Sequence, residues 1–147
     1  MKRHQALIKL SKDHYHGLVL AQMIKKGAPQ YKGMPCTLEG KVEYTLTFWK
    51  QELTYHFEKE ENILLPFVAD KNSHLDSLCK KTIDEHKQIK ELIEKLKSGN
   101  NGEEILNDLG FLLESHIRME EREMFETIQN VLSEEELSEL IRKFTDK

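Results

Sequence analysis

Residues 73–97, SHLDSLCKKTIDEHKQIKELIEKLK, decide the class of fold. Cys79, Ile83, His86, Ile89, Ile93 and Leu96 recur there at three- and four-residue intervals, which marks a helix with one buried face. Ser73, with Asp76 three residues on, reads as its start, and Gly99 as its stop.

Working outward from this helix, the same period appears on both sides. Downstream, Asn101 with Glu103 and Glu104 opens a helix through Leu109, Leu113, His116, Glu120 and Met124. Ser133 and Glu136 then form a capping box for a short tail helix. Upstream, Thr37 caps a long helix whose inward stripe reads Trp49, Leu53, His56, Glu60, Ile63 and Phe67, with Pro66 expected to kink or end it. Leu7, Leu10, His14, Leu18 and Ala21 define a first helix over about Gln5 to Lys26, stopped by Gly27. Short connections between the second, third and fourth helices predict antiparallel neighbours. The expected fold is all-α: an up-down antiparallel four-helix bundle over about residues 3–131 with a C-terminal helix over about 133–145, all in one domain (1–147).

Composition agrees and excludes other classes. With 147 residues, 38% hydrophobic, 33% charged, three Pro and seven Gly, the chain suits one helical domain with one continuous core. Its 22 basic and 26 acidic residues are interspersed, and the net charge of −4 forms no basic stripe, so nucleic acid is not an expected partner. No apolar run approaches the roughly 18 residues of a membrane span, and charges break MKRHQALIKLSKDHYHG too early for a signal peptide. Cys36 and Cys79 lack C-x-x-C spacing and read as two reduced thiols. The expected location is the cytoplasm.

Each of the four apolar stripes is interrupted at one station: by His14, by His56 with Glu60, by His86, and by His116 with Glu120. With turns near residues 70 and 100, His56 lies 14 residues before the first turn and His86 lies 16 after it. His86 and His116 relate to the second turn in the same way, by 14 and 16 residues. At about 1.5 Å per residue these side chains reach one height in the bundle, and His14 falls near it. A lone inward histidine is most often a hydrogen-bonded core residue, but four at one level with two carboxylates need compensating charge. No inward Arg or Lys cluster offers it, whereas a pair of metal ions does. The i, i+4 spacing puts each carboxylate one turn, about 6 Å, from its imidazole, so the imidazole can bind one ion while the carboxylate bridges to a second. Ferritin-like di-iron bundles use Glu-x-x-His and more carboxylates than histidines, which this pattern does not match.

TYHFEKEENILLPF (54–67) and ESHIRMEEREMF (114–125) resemble the two H-x-x-x-E elements of hemerythrin-like, or HHE cation-binding, domains. LSKDHYHGLVLA (10–21) and DEHKQI (84–89) resemble what the first and third helices contribute, so the likeness spans about residues 3–128. The resemblance implies two iron ions: His14 and His56 on one, His86 and His116 on the other, with Glu60 and Glu120 bridging beside an oxo, hydroxo or water oxygen. Glu121 is the alternative to Glu120. Oxygen-carrying relatives have a fifth histidine on the third helix, but one turn after His86 stands Lys90 and one turn before it Thr82. By the resemblance, the missing ligand leaves a coordination position open or filled by water.

Other polar residues are expected to face solvent. These are His16, about 200° around the helix from His14, His4 and His74 near helix ends, and Glu61 and Glu121 beside the bridging residues. Glu52 and Glu123 are candidates for orienting a ring N–H or a water. No hydrolase or nucleotide-binding motif is present. The expected function is a non-haem di-iron protein that binds or senses dioxygen, nitric oxide or iron. The alternatives are a redox enzyme acting on peroxide or nitric oxide, or donating iron for iron-sulfur cluster repair, and a structural zinc site.

Overall fold

Helix α1 (Gln5–Met23) starts on His4, whose Nδ1 accepts the Ala6 N–H (3.0 Å) while its Nε2 meets Glu134 (3.0 Å). His4 is therefore a cap that ties the first helix to the last, not the plain surface residue expected. The helix stops at Met23, short of Lys26, and the chain turns through Gly27 at φ 73°.

The second helix, α2 (residues 38–68), is capped as predicted by Thr37, whose hydroxyl accepts the Gly40 N–H (3.0 Å). Its course is not uniform: wide π turns at Trp49–Leu53 and Glu60–Leu64 interrupt it. Each adds a residue to the turn, and one residue is worth about 100° of rotation, so the buried face moves. The buried apolar positions are Phe48, Leu53, Phe57, Leu64, Leu65 and Val68, and His56 and Glu60 are buried as predicted, while the predicted Trp49, Ile63 and Phe67 are only partly covered. Pro66, with no N–H to give, sits just past the second wide turn; the helix ends two residues later at Val68.

Helix α3 (Ser73–Lys97) starts at Ser73 as read, but its cap is Asn72, whose Oδ1 accepts the Leu75 N–H (2.9 Å). Asp76 instead accepts from the Asp70 N–H (2.9 Å) across the turn. Helix α4 (residues 102–131) carries a third π turn at Glu120–Met124. The last helix, α5 (Glu134–Thr145), has the predicted capping box: Glu136 accepts the Ser133 N–H (2.9 Å) and Ser133 Oγ the Glu136 N–H (3.1 Å).

The computed structural model describes residues 2–145, and among them there is no strand and no helix long and apolar enough to cross a membrane. The helices form a bundle in which α1 and α3 both lie along α4, and α5 packs across α1. Two glycines permit the α1–α4 approach. A Cβ on Gly110 would stand 2.8 Å from the Ala21 carbonyl oxygen, and one on Gly17 2.8 Å from Ile117 Cδ1.

The apolar interior is divided in two. One cluster gathers Leu7, Leu10, Leu64, Val68, Leu75, Phe125 and Ile128, closed by Leu137 and Leu140 of α5. The other gathers Leu20, Ala21, Leu53, Phe57, Ile89, Ile93, Leu109, Leu113 and Ile117. Each fully buried side chain of this size contributes about 1.5–3 kcal/mol. The buried polar residues include His14, His56, Glu60, His86, His116 and Glu120, and an unpaired charge there costs several kcal/mol. What these six touch is therefore the central question.

Candidate metal centre

The six side chains converge, and they do so as two overlapping sets. His14, His56, Glu60 and Glu120 each offer a ligand atom within 4.8 Å of the others, and so do Glu60, His86, His116 and Glu120. Both glutamates belong to both sets. Glu120 Oε1 lies 2.8 Å from His14 Nε2, and Oε2 3.5 Å from His116 Nε2. Glu60 spans His86 Nε2 (3.1 Å) and His56 Nε2 (3.4 Å) in the same manner. Each H-x-x-x-E pair supplies this from adjacent turns of one helix, and the wide turns of α2 and α4 begin at Glu60 and at Glu120.

Behind the imidazoles stands a second set of carboxylates. His56 Nδ1 faces Asp13 (3.1 Å), His86 Nδ1 faces Glu61 (2.6 Å), His116 Nδ1 faces Glu85 (2.8 Å) and His14 Nδ1 faces Glu121 (2.5 Å). An ionised carboxylate only accepts, so each Nδ1–H donates, which leaves Nε2 of the neutral ring with its lone pair aimed inward. The pattern is cyclic: α1 supplies the acceptor for α2, α2 for α3, α3 for α4 and α4 for α1. Glu61 and Glu121 thus have a role that their expected place on a solvated face did not give them. Glu52 and Glu123, the expected orienting groups, are exposed. The signal was local, since every acceptor is the sequence neighbour of a ligand candidate on its own helix yet serves the next helix. Arg3 and Ser11 hold Glu121 in turn, at 3.1 and 2.8 Å.

Charge in the layer follows from these contacts. Burial pulls the His14 imidazole toward neutrality, but hydrogen bonds to Glu120 and Glu121 outweigh it and raise the pKa to about 9. For His56 burial is likewise outweighed, by the Glu60 charge and the Asp13 hydrogen bond, and the value rises to about 10. Burial pushes Glu120 up, reinforced by the Glu60 charge; Glu60, despite its own burial, is held well below the usual carboxylate range by the His56 charge.

The donor set fits divalent or trivalent metal ions. Buried His56 Nε2, His86 Nε2, His116 Nε2, both Glu60 oxygens and Glu120 Oε2 have no hydrogen-bond partner among the described residues. Orphaned polar atoms are rare in folded interiors, and all six of these point into one small volume. Mixed imidazole and carboxylate donors suit iron and zinc alike.

A cleft leads to the layer from the surface. It holds about 130 Å³, runs past Asp13, Gly17, Leu113 and Ile117, and reaches His14, His56 and His116, with Lys9 and Lys59 on its lining. His16 and His74 are exposed, as expected, and lie away from it. Thr82, one turn before His86, is buried and donates to the Leu78 carbonyl (2.9 Å); Lys90, one turn after it, is exposed.

Comparison with curated proteins and with solved structures finds no match. The family model of the hemerythrin HHE cation-binding domain does match, over residues 3–128, and the chain belongs to that family.

Proposed function

We propose that this protein is a non-haem di-iron protein that binds or senses a small molecule, dioxygen or nitric oxide, at its metal pair. The observation that carries the reading is the pair of overlapping four-residue sets that share Glu60 and Glu120, with orphaned inward atoms. In this reading His14 and His56 hold one ion, His86 and His116 the other, and Glu60 and Glu120 bridge them. An iron pair supplies two adjacent redox-active cations with coordination positions left for a small ligand and a bridging oxo, hydroxo or water. The chain's own part is to fix four imidazoles by their Nδ1–H bonds, to keep the layer dry between two apolar clusters, and to admit small ligands by the cleft at Gly17. An up-and-down antiparallel order of α1 to α4 in a single domain accords with the helix contacts, and a cytoplasmic setting accords with the free thiols of Cys36 and Cys79.

Metal analysis with aerobic and anaerobic absorption spectra tests the proposal. Two irons per chain and an oxygen-dependent charge-transfer band are expected; a colourless protein with stoichiometric zinc overturns it. Glu60→Ala and Glu120→Ala should strip metal while His16→Ala should not. Sustained turnover of peroxide or nitric oxide, abolished by His56→Ala, would move the assignment to a redox enzyme.

A further inference from the structure

The two metal-binding sets are near copies of each other. On α1 and α2 the chain reads Asp13–His14 and His56-x-x-x-Glu60–Glu61; on α3 and α4 it reads Glu85–His86 and His116-x-x-x-Glu120–Glu121. Exchanging the helix pairs exchanges equal contacts. His14 to Glu120 (2.8 Å) corresponds to His86 to Glu60 (3.1 Å), and His56 to Glu60 (3.4 Å) to His116 to Glu120 (3.5 Å). The outer contacts correspond as well: Glu121 to His14 (2.5 Å) with Glu61 to His86 (2.6 Å), and Asp13 to His56 (3.1 Å) with Glu85 to His116 (2.8 Å). The rings of His14 and His56 stand 4.9 Å apart at 59°, those of His86 and His116 4.9 Å apart at 63°. The ligand residue types match position for position, while the outer acceptors differ in kind, Asp13 against Glu85, and in support, with Lys9 on Asp13 and Arg3 and Ser11 on Glu121.

The likeness breaks one turn above the first histidine of each pair. Three residues after His14 stands Gly17; three residues after His86 stands Ile89. Ile89 is fully buried in the same apolar cluster as Leu53, Phe57, Leu113 and Ile117. Gly17 has no side chain, Ile117 Cδ1 packs against it, and the cleft is lined there by Gly17, Phe57, Leu113 and Ile117 on its way to His14, His56 and His116. A groove on the other side touches His86 alone among the histidines, beside Glu61, with the Phe57 ring stacked on the imidazole at 3.7 Å.

We infer that Gly17 is the specificity-determining residue that admits an external ligand to the metal layer on the side of His14, His56 and His116, where the equivalent position of α3 carries the buried Ile89. The inference rests on the di-metal reading above. The ligand class is a small molecule of two or three atoms, set by the size of the cleft, on whose lining Lys9 (paired with Asp13 at 2.7 Å) and Lys59 are balanced by Asp13 and Glu52. Even a methyl at position 17 meets Ile117 Cδ1, on the same cleft lining, at 2.8 Å and forces that side chain to shift.

Azide titration of the iron-loaded protein, followed by its charge-transfer band and by iron content, tests this. Wild type should bind one azide per chain. Gly17→Ile should keep two irons and lose azide affinity by about tenfold or more, the scale on which apolar pockets resolve added methyl groups. Gly17→Ala, the milder variant should the first not fold, should fall between the two. Gly17 variants that hold two irons and bind azide like wild type overturn the inference. A second arm needs no iron: xenon should shift the Ile117 methyl resonances in wild type and not in Gly17→Ile. A xenon response unchanged by that substitution overturns the inference, whereas the expected response in a chain that takes up no iron overturns the proposed function alone.

Discussion

Truncating the four outer carboxylates one at a time should lower metal affinity in the order of their burial. Glu85 and Glu61 make the sharpest pair. Each accepts from one histidine Nδ1–H, at 2.8 and 2.6 Å, so bond length favours Glu61 if anything. Their surroundings differ: the Glu85 side chain is 11% exposed and the Glu61 side chain 40%. In the drier site the bond is electrostatically stronger and water is a poorer substitute for the lost acceptor. Loss of an outer acceptor typically costs about 10–100-fold in metal affinity. Glu85→Ala belongs at the upper end of that range, about 2–3 kcal/mol by the tenfold-per-1.4 kcal/mol rule. Glu61→Ala should cost only about threefold to tenfold, since water can take the Nδ1–H at that edge. The assay is competition for metal between the apoprotein and a chelator of known affinity, with circular dichroism to confirm the fold. Glu85→Gln retains an acceptor oxygen and should recover most of the loss. Equal losses for Glu85→Ala and Glu61→Ala, or a larger one for Glu61→Ala, would refute the argument that burial sets the strength of these contacts.

Metal uptake near pH 7 should release protons, because imidazoles raised to about 9 and 10 at His14 and His56 must give theirs up before ligating; affinity should climb with pH toward 10, and a pH-independent chelator competition would contradict this. Protein stripped of metal should show the opposite trend. Groups raised in the folded state stabilise it fully below the unfolded value near 6.5, so urea midpoints should fall as pH rises through 9 to 10. Gly110→Ala brings a methyl to 2.8 Å from the Ala21 carbonyl and should cost about 1–3 kcal/mol in thermal unfolding, with no change if α1 and α4 are not closely packed. Arg3→Ala releases Glu121, Glu126 and Gln129 together and should weaken iron retention severalfold through His14, measured as the off-rate to chelator.

Period and spacing along the chain were enough to identify five helices, the capping box at Ser133 and Glu136, and a layer of His14, His56, Glu60, His86, His116 and Glu120. Those features are local: a helix repeats every 3.6 residues, and residues at equal distances from two turns arrive at equal heights. The helix starts were less secure, and Asn72 replaced Ser73 because which side chain caps depends on where the preceding turn leaves it. The wide turns at residues 49, 60 and 120 were not legible, since a π turn is decided by packing on both sides of the helix, and with them went the true inward face at Leu64 and Val68. The outer acceptors escaped for a related reason. Asp13, Glu61, Glu85 and Glu121 sit beside ligand candidates in sequence but act on the neighbouring helix, and only the rotation of each helix about its axis assigns them. Gly17 and Ile89 make the same point at the cleft. Their offsets from His14 and His86 are equal in the chain, yet the cleft runs past Gly17 and not past Ile89, and that is a property of the packed helices alone.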